Sequence, residues 1–211
     1  MYICVNLARF TDTADLAQRC GLNDNQLSRL AHVGALASLG LSRRQALWQV
    51  AEVAGRQGPL LANLPPEQHS PLPEMTPFDE TVADYSGLHM TTGPHLMAYF
   101  RPGLARRGVV PLAELEHRRD GEKVQAAGAV IVRQRPGTAK GFVFFTVEDE
   151  TGTVQAIVRP DLFRANRQLV VTSPMLVVSG TLQKRDGTIS IKAESFEALK
   201  GEAPLASHDF Y

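Results

Sequence analysis

The 211-residue chain carries 22 Lys or Arg against 22 Asp or Glu, so no net field draws the molecule as a whole to a polyanion or a membrane surface. Its length suits two small domains. No apolar run reaches the ~20 residues that span a bilayer, and the opening residues lack the basic start and long apolar core of a signal peptide, which predicts a cytoplasmic protein without membrane contact. Cys4 and Cys20, the only cysteines, have no metal-ligand spacing and argue against a disulfide framework or a zinc site.

Residues 1–57 read as short helices separated by glycine. Thr13 caps a helix through Leu16 to Cys20, which Gly21 ends. Asn23 with Gln26 three residues on resembles a capping box for a helix reaching Leu36, and Ser42 with Gln45 starts a third through Ala46, Leu47, Val50 and Val53. Tight glycine turns between such helices fit a helix-hairpin-helix-like unit, whose backbone N–H groups hold a DNA phosphate, with Arg43 and Arg44 as supporting cations. The plainer reading is a helical packing unit with solvated arginines, and Trp48 reads as core or interface.

Residues 58–77 hold Pro59, Pro65, Pro66, Pro71, Pro73 and Pro77, a density that predicts a linker. Residues 78–122 regain helical spacing, broken at Pro102-Gly103 and Pro111, and read as short helices packed beside the following domain. His69, His89 and His95 have no ligand partner one helical turn away, so surface or satisfied core histidines fit better than a metal centre.

Residues 123–200 read as a closed unit. Val124 to Gln134 is a long Val- and Ala-rich strand that stops at Arg135-Pro136-Gly137. Phe142 to Val147 and Thr153 to Val158 form a hairpin around Asp149-Glu150-Thr151-Gly152. Pro160 opens a short helix through Arg167, placed to plug a barrel end. Met175 to Leu182 and Thr188 to Phe196 are joined through Lys184-Arg185-Asp186-Gly187, whose Asp-Gly pair favours a tight turn. The order β-β-β-α-β-β, after a helical segment, predicts an α+β chain ending in a five-stranded OB-fold barrel, whose strand-two and strand-three face commonly binds oligonucleotides. Residues 201–211 read as a polar tail.

Within 123–200 there are 11 Lys or Arg against 7 Asp or Glu, a basic module inside a neutral chain. That excess suggests a polyanion partner. The candidate contacts are Arg133 and Arg135 at the exit of strand one, Lys140 in the loop after it, Arg159 before the helix, Lys184 and Arg185 in the last hairpin, and Lys192 on strand five. Phe142 and Phe144 share one side of strand two, and Val143, Phe145 and Val147 the other. If the Phe142 and Phe144 set is exposed, it can stack on bases; a bulge would exchange the two sets. No phosphate loop, nucleophile elbow or His-Glu-x-x-His is present, and Glu148-Asp149-Glu150 reads as turn chemistry rather than a magnesium site, so neither a cofactor nor a catalytic residue is expected.

Arg133-Gln134-Arg135-Pro136-Gly137-Thr138-Ala139-Lys140-Gly141, followed by Phe144-Phe145-Thr146-Val147-Glu148-Asp149-Glu150-Thr151-Gly152, resembles the OB-fold region of the bacterial error-prone DNA polymerases of the C family, the DnaE-like translesion enzymes also called ImuC. Leu30 to Leu36, Leu41 to Trp48, Asp84-Tyr85, Gly93 to Ala98 and Ser207 to Phe210 are similar to neighbouring parts of that family, with His95-Leu96 standing where the family has His-Pro. The resemblance implies a C-terminal piece without the palm and its catalytic aspartates, hence no enzyme by itself. It also implies single-stranded and primer-template DNA as partners, in translesion synthesis and repair. A protein-interaction module docking on other translesion or clamp-associated proteins, such as other translesion polymerase subunits, is the alternative.

Overall fold

The computed structural model describes residues 9–55, 70–199 and 208–210. The chain divides into two compact units at Leu88/His89. Most of the expected 58–77 linker, residues 58–69, lies outside the described residues, and residues 70–76 form neither helix nor strand.

In the first unit, α1 (Thr13–Cys20) is capped by Asp12, one residue before the expected Thr13, because the Asp12 carboxylate accepts the Asp15 N–H at 2.8 Å. Gly21, at φ +63°, ends it in the left-handed conformation. The Asn23 and Gln26 capping box is formed in both directions, each bond 3.0 Å, and starts α2 (Asp24–His32). A reciprocal pair between Ser42 and Gln45 starts α3 (Arg43–Gly55) in the same way. Leu27, Ala31, Leu36, Ala46 and Val50 close a small core between them. α4 (Pro77–Leu88) belongs to this unit, not beside the barrel as its spacing suggested. The physical reason is a buried ion pair: Asp84 on α4 accepts from the Arg43 guanidinium at 2.7 Å.

The second unit opens with α5 (Leu96–Arg106), which runs past Pro102 rather than stopping there. His95 caps it, its Nδ1 accepting the Met97 N–H at 3.1 Å, and Leu96 occupies the first helical position, where a proline also fits. A 3-10 segment, Leu112–His117, follows. The barrel comprises β1 (Lys123–Gln134), β2 (Val143–Asp149), β3 (Gly152–Val158), β4 (Met175–Arg185) and β5 (Thr188–Ala198). Two short helices, α6 (Pro160–Ala165) and α7 (Arg167–Thr172), connect β3 to β4. The pairing cycle β1-β2-β3-β5-β4-β1 closes the barrel, with β3 and β5 parallel and the other neighbours antiparallel. The tail contributes a sixth strand, β6 (His208–Phe210), parallel to β1 at Val132 to Gln134.

Val143, Phe145 and Val147 point into the core with Val154, Ala156 and Val158, and the Phe145 and Phe196 rings pack with centroids 5.5 Å apart. Phe163 and Val170 bring α6 and α7 into that core, and Leu112 and Leu115 join it from the 3-10 segment beside the β2–β3 turn. The β4–β5 turn has Asp186 at φ +50° and Gly187 at φ +74°, the paired positive values that an Asp-Gly turn supplies.

β1 must serve two neighbours. It pairs with β4 up to Ala129 opposite Met175 and with β2 from Ala129 opposite Glu148 onward. At this crossing a Cβ on Gly128 would stand 2.7 Å from the Glu148 carbonyl oxygen, which is backbone and cannot swing aside. Gly128→Ala is therefore expected to destabilise the barrel by about 1–3 kcal/mol, the usual cost of overpacking, seen as a lower urea midpoint with the slope unchanged.

Candidate nucleic-acid interface

The expected face exists, with the parity that leaves Phe144 outside. β2 and β3 pair without a register break from Val143 opposite Val158 to Asp149 opposite Gly152, so Val143, Phe145 and Val147 stay inward and Phe144 and Thr146 outward. The irregularity lies instead in β1, between Val130 and Val132. Cross-strand register then builds two rows on the outer face. Phe144 lies opposite Ile157, and Ile157 opposite the exposed Lys192; Thr146 lies opposite Gln155, and Gln155 opposite Ser190. The first row is an apolar platform ending in a cation. The second is hydroxyl and amide.

This second row runs into a groove of about 700 Å³ bounded by the β4–β5 turn and the 3-10 segment, with Thr146, Gln155, Thr151, Thr153 and Thr188 among its walls. These hydroxyl and amide groups offer donors and acceptors to base edges, and Glu116 is the one charged residue in the lining. A second hollow of about 620 Å³ lies in the helical unit, where Leu22, Leu30, Val33, Leu47 and Leu88 form an apolar floor edged by Arg29 and His32.

Asp149 fixes one end of the groove. Its buried carboxylate accepts five hydrogen bonds: from the Leu112 N–H, the Thr151 N–H and hydroxyl, the Gly152 N–H, and the Arg101 guanidinium at 2.6 Å. Arg101 also pairs with Glu150. Burial, the largest influence on Arg101, would lower its pKa, but the hydrogen bonds and charges of Glu150 and Asp149 outweigh it and hold the pKa above its ordinary value. Two of the three carboxylates at 148–150 are thereby engaged in turn and ion-pair chemistry. At the other wall, the Lys184 Nζ donates to the Glu116 carbonyl at 2.6 Å and the Lys184 N–H to Asp120 at 2.8 Å, so Lys184 ties the hairpin to the segment around 116–120.

The structure sorts the expected cations into two groups. Arg135, Lys140, Arg185 and Lys192 are exposed, and Arg159 is exposed with an ion pair to Asp161 at 3.3 Å. Lys192 also helps hold the Glu194 carboxyl below its usual pKa, after the larger effects of hydrogen bonds from Lys123 and Thr181. Phe142 is half-buried in the loop after β1, its N–H bonded to the Ala139 carbonyl.

Arg133 does not face solvent as expected. It is 3% exposed, its Nε donating to the Val170 carbonyl at 2.8 Å and its Nη2 to the Ser173 carbonyl at 2.6 Å. These carbonyls end α7, where helical oxygens lack intrahelical partners and a cation is favoured. Arg43 is likewise spent within the helical unit, on Asp84, the His32 carbonyl at 3.3 Å and the Glu80 carbonyl at 3.2 Å. Arg44 is half-buried, its Nε without a hydrogen-bond partner among the described residues. Of the two supporting cations expected for a phosphate on the helical hairpin, Arg43 is thus committed to groups within its own unit.

Charge-based reading missed Thr146, Gln155 and Thr188, which carry none. It also missed Arg164 and Arg167, exposed on α6 and α7, which had registered only as a helical pattern. Extending the period-two alternation of β2 across the hairpin register would have found Thr146 and Gln155.

The closed five-stranded barrel, with helices between its third and fourth strands, is an OB-fold, and residues 124–199 match a family model described as an OB-fold nucleic acid binding domain. The kinship is more particular. The chain is 44% identical over 195 residues to the error-prone DNA polymerase of Caulobacter vibrioides, an alignment that covers 90% of this chain and 18% of that protein. It is 38% identical over 205 residues to that of Anaeromyxobacter dehalogenans, covering 96% of this chain and 18% of the relative. For Mycolicibacterium paratuberculosis the identity is 36% over 202 residues, with coverage of 95% and 18%. The chain is thus homologous to one segment of the error-prone DNA polymerases and spans about 18% of their length. Among solved structures, asparaginyl-tRNA synthetase from Pyrococcus horikoshii aligns at 24% identity over 45% of this chain and 23% of its own, with a TM-score of 0.39, too distant to bear on function. Among the described residues no helix is long and apolar enough to cross a membrane.

Inward and outward phenylalanines give a direct check. Phe145→Ala should lose about 3–5 kcal/mol and Arg133→Ala about 3 kcal/mol of stability in urea melts, whereas Phe144→Ala should leave the midpoint within about 1 kcal/mol of the parent.

Proposed function

We propose that this chain supplies a DNA-contacting part of an error-prone DNA polymerase acting in translesion synthesis and repair, and that its barrel holds single-stranded template. The observation that supports this most is the outer face of β2, β3 and β5, where Phe144, Ile157 and Lys192 stand in one cross-strand row beside the polar groove. A base has a π-face that can lie on Phe144, and the phosphate next to it can meet Lys192 or, at the ends of the face, Arg185 or the loop cations Arg135 and Lys140. Aromatic platforms with a basic track bind single strands with little sequence preference. The role is binding and placement of the template; nucleotidyl transfer belongs to parts of the polymerase outside this homology. With Arg43 committed to Asp84, duplex phosphates are not assigned to the helical unit.

Binding of fluorescein-labelled oligothymidylate, followed by anisotropy across a salt series, tests the proposal. Arg135→Ala with Lys140→Ala should weaken binding of every sequence and reduce the salt slope by about 1.4, at about 0.7 for each phosphate no longer neutralised. Phe144→Ala should cost about 1–3 kcal/mol of affinity with the slope nearly unchanged. Parent-like binding by the Arg135, Lys140 pair variant at both low and moderate salt would defeat the nucleic-acid reading in favour of docking on another polymerase subunit.

A further inference from the structure

The cations on the α6–α7 connection form a surface of their own. Arg164 and Arg167 are exposed and make no ion pair among the described residues, and Arg159 precedes them with Asp161 as its partner. From 159 to 172 there are three arginines and one acid. The loop 135–142 adds Arg135 and Lys140 with no acid, and it lies against this connection: a Cβ on Gly141 would touch Pro160 at 3.5 Å, and the Arg135 guanidinium stands 5.5 Å from the centre of the Phe163 ring. Arg135 is thus shared between the loop and α6. By contrast, Arg101, Arg107 and Arg118 in the same unit are paired with carboxylates. The outward set of β2 ends in Glu148, and the Asp149 and Glu150 carboxylates beside it share the single charge of Arg101, so the basic potential lies toward the helical connection rather than toward the β2–β3 turn.

Beside Arg167, a shallow hollow of about 290 Å³ is formed with Gln168, Val171 and Thr172, and Val171 is exposed there. An exposed apolar side chain next to an unpaired guanidinium suits a nucleotide, which presents a sugar or base beside each phosphate. An acidic peptide would use the arginines but has no need of the continuous path from Phe142 and Lys140.

We propose that the α6–α7 connection is a second phosphate-contacting surface, over which a longer single strand runs after leaving the β2–β3 face across the 135–142 loop. This rests on the single-strand reading of the barrel and adds a direction and a length to it. OB-folds engage roughly 4–16 nucleotides, so a strand of about 5 fills the face alone and one of about 20 reaches the helices.

The test uses the whole chain with labelled oligothymidylates of about 5 and about 20 nucleotides, comparing the parent, Arg164→Ala with Arg167→Ala, and the charge reversal Arg164→Glu with Arg167→Glu. Both positions are exposed, and melting curves should coincide with that of the parent. The alanine pair should reduce the salt slope for the long strand by about 1.4 and leave the short strand unchanged, and the reversal should weaken the long strand further. If the parent binds both strands and the variants bind the long one with parental affinity and slope, the helical path is wrong and the barrel reading stands. Equal weakening of both strands also overturns the path, because it places the helices within the short footprint. If the parent binds neither strand, the single-strand reading itself fails. If it instead binds an acidic peptide in an Arg164- and Arg167-dependent manner, the ridge is a protein-docking surface.

Discussion

The close approach of β1 to β2 at Gly128 is the constraint on which the second unit depends. In this barrel closure is made by β1 leaving one neighbour and taking up another, and it does so at Ala129, which lies opposite both Met175 and Glu148. The residue beside the exchange can have no side chain toward Glu148. A second close approach, at Gly180 opposite Ala193, accompanies the register shift of β4 against β5, where a Cβ would overlap the Lys192 carbonyl oxygen. With strands brought so near, the β2–β3 face acquires the curvature that closure imposes. The rows from Phe144 to Lys192 and from Thr146 to Ser190 owe their register to it.

Closure leaves barrel ends that must be filled, and both fillings are held by charge. Arg133 reaches from β1 to the carbonyls that end α7, while Arg101 on α5 meets Asp149 at the β2–β3 turn. In each case a buried or half-buried guanidinium satisfies oxygen atoms that would otherwise lose water without replacement, a cost of about 3 kcal/mol that is a large part of a small domain's margin of stability. Asp149 does more than pair, since the same carboxylate orders the turn through Thr151 and Gly152 and anchors the Leu112 N–H. The 3-10 segment is thereby set as one wall of the groove.

The Asp-Gly turn, the Asn23 box and the division of β2 into two alternating sets were legible because each depends on residues within a few positions of one another, whereas which set faces inward was left open. Alternation fixed Phe145 as core once no bulge fell in β2. What was illegible required partners distant in sequence. Arg133 looked solvated because its receptors, Val170 and Ser173, are some forty residues away. The placement of α4 turned on Arg43 meeting Asp84, forty-one residues on. The tail read as polar because three residues of strand beside an existing barrel edge carry no hydrophobic period to detect.

These exchanges alter what net charge can say about function. An excess of +4 over 123–200 counts every cation alike, yet a guanidinium buried on helical carbonyls cannot reach a phosphate, and one facing a carboxylate projects a dipole. Removing Arg133 from the outward set, and Lys184 as a tie to Glu116, leaves the remaining exposed charge unevenly placed. Carboxylates gather at the β2–β3 turn, and cations without an ion pair among the described residues gather at the loop after β1 and on α6–α7. A polyanion laid on the outer face would feel a gradient along β2, from the acidic turn toward the basic end. Under the proposed single-strand reading, the barrel would offer stacking without sequence preference while giving a strand one favoured way to leave it.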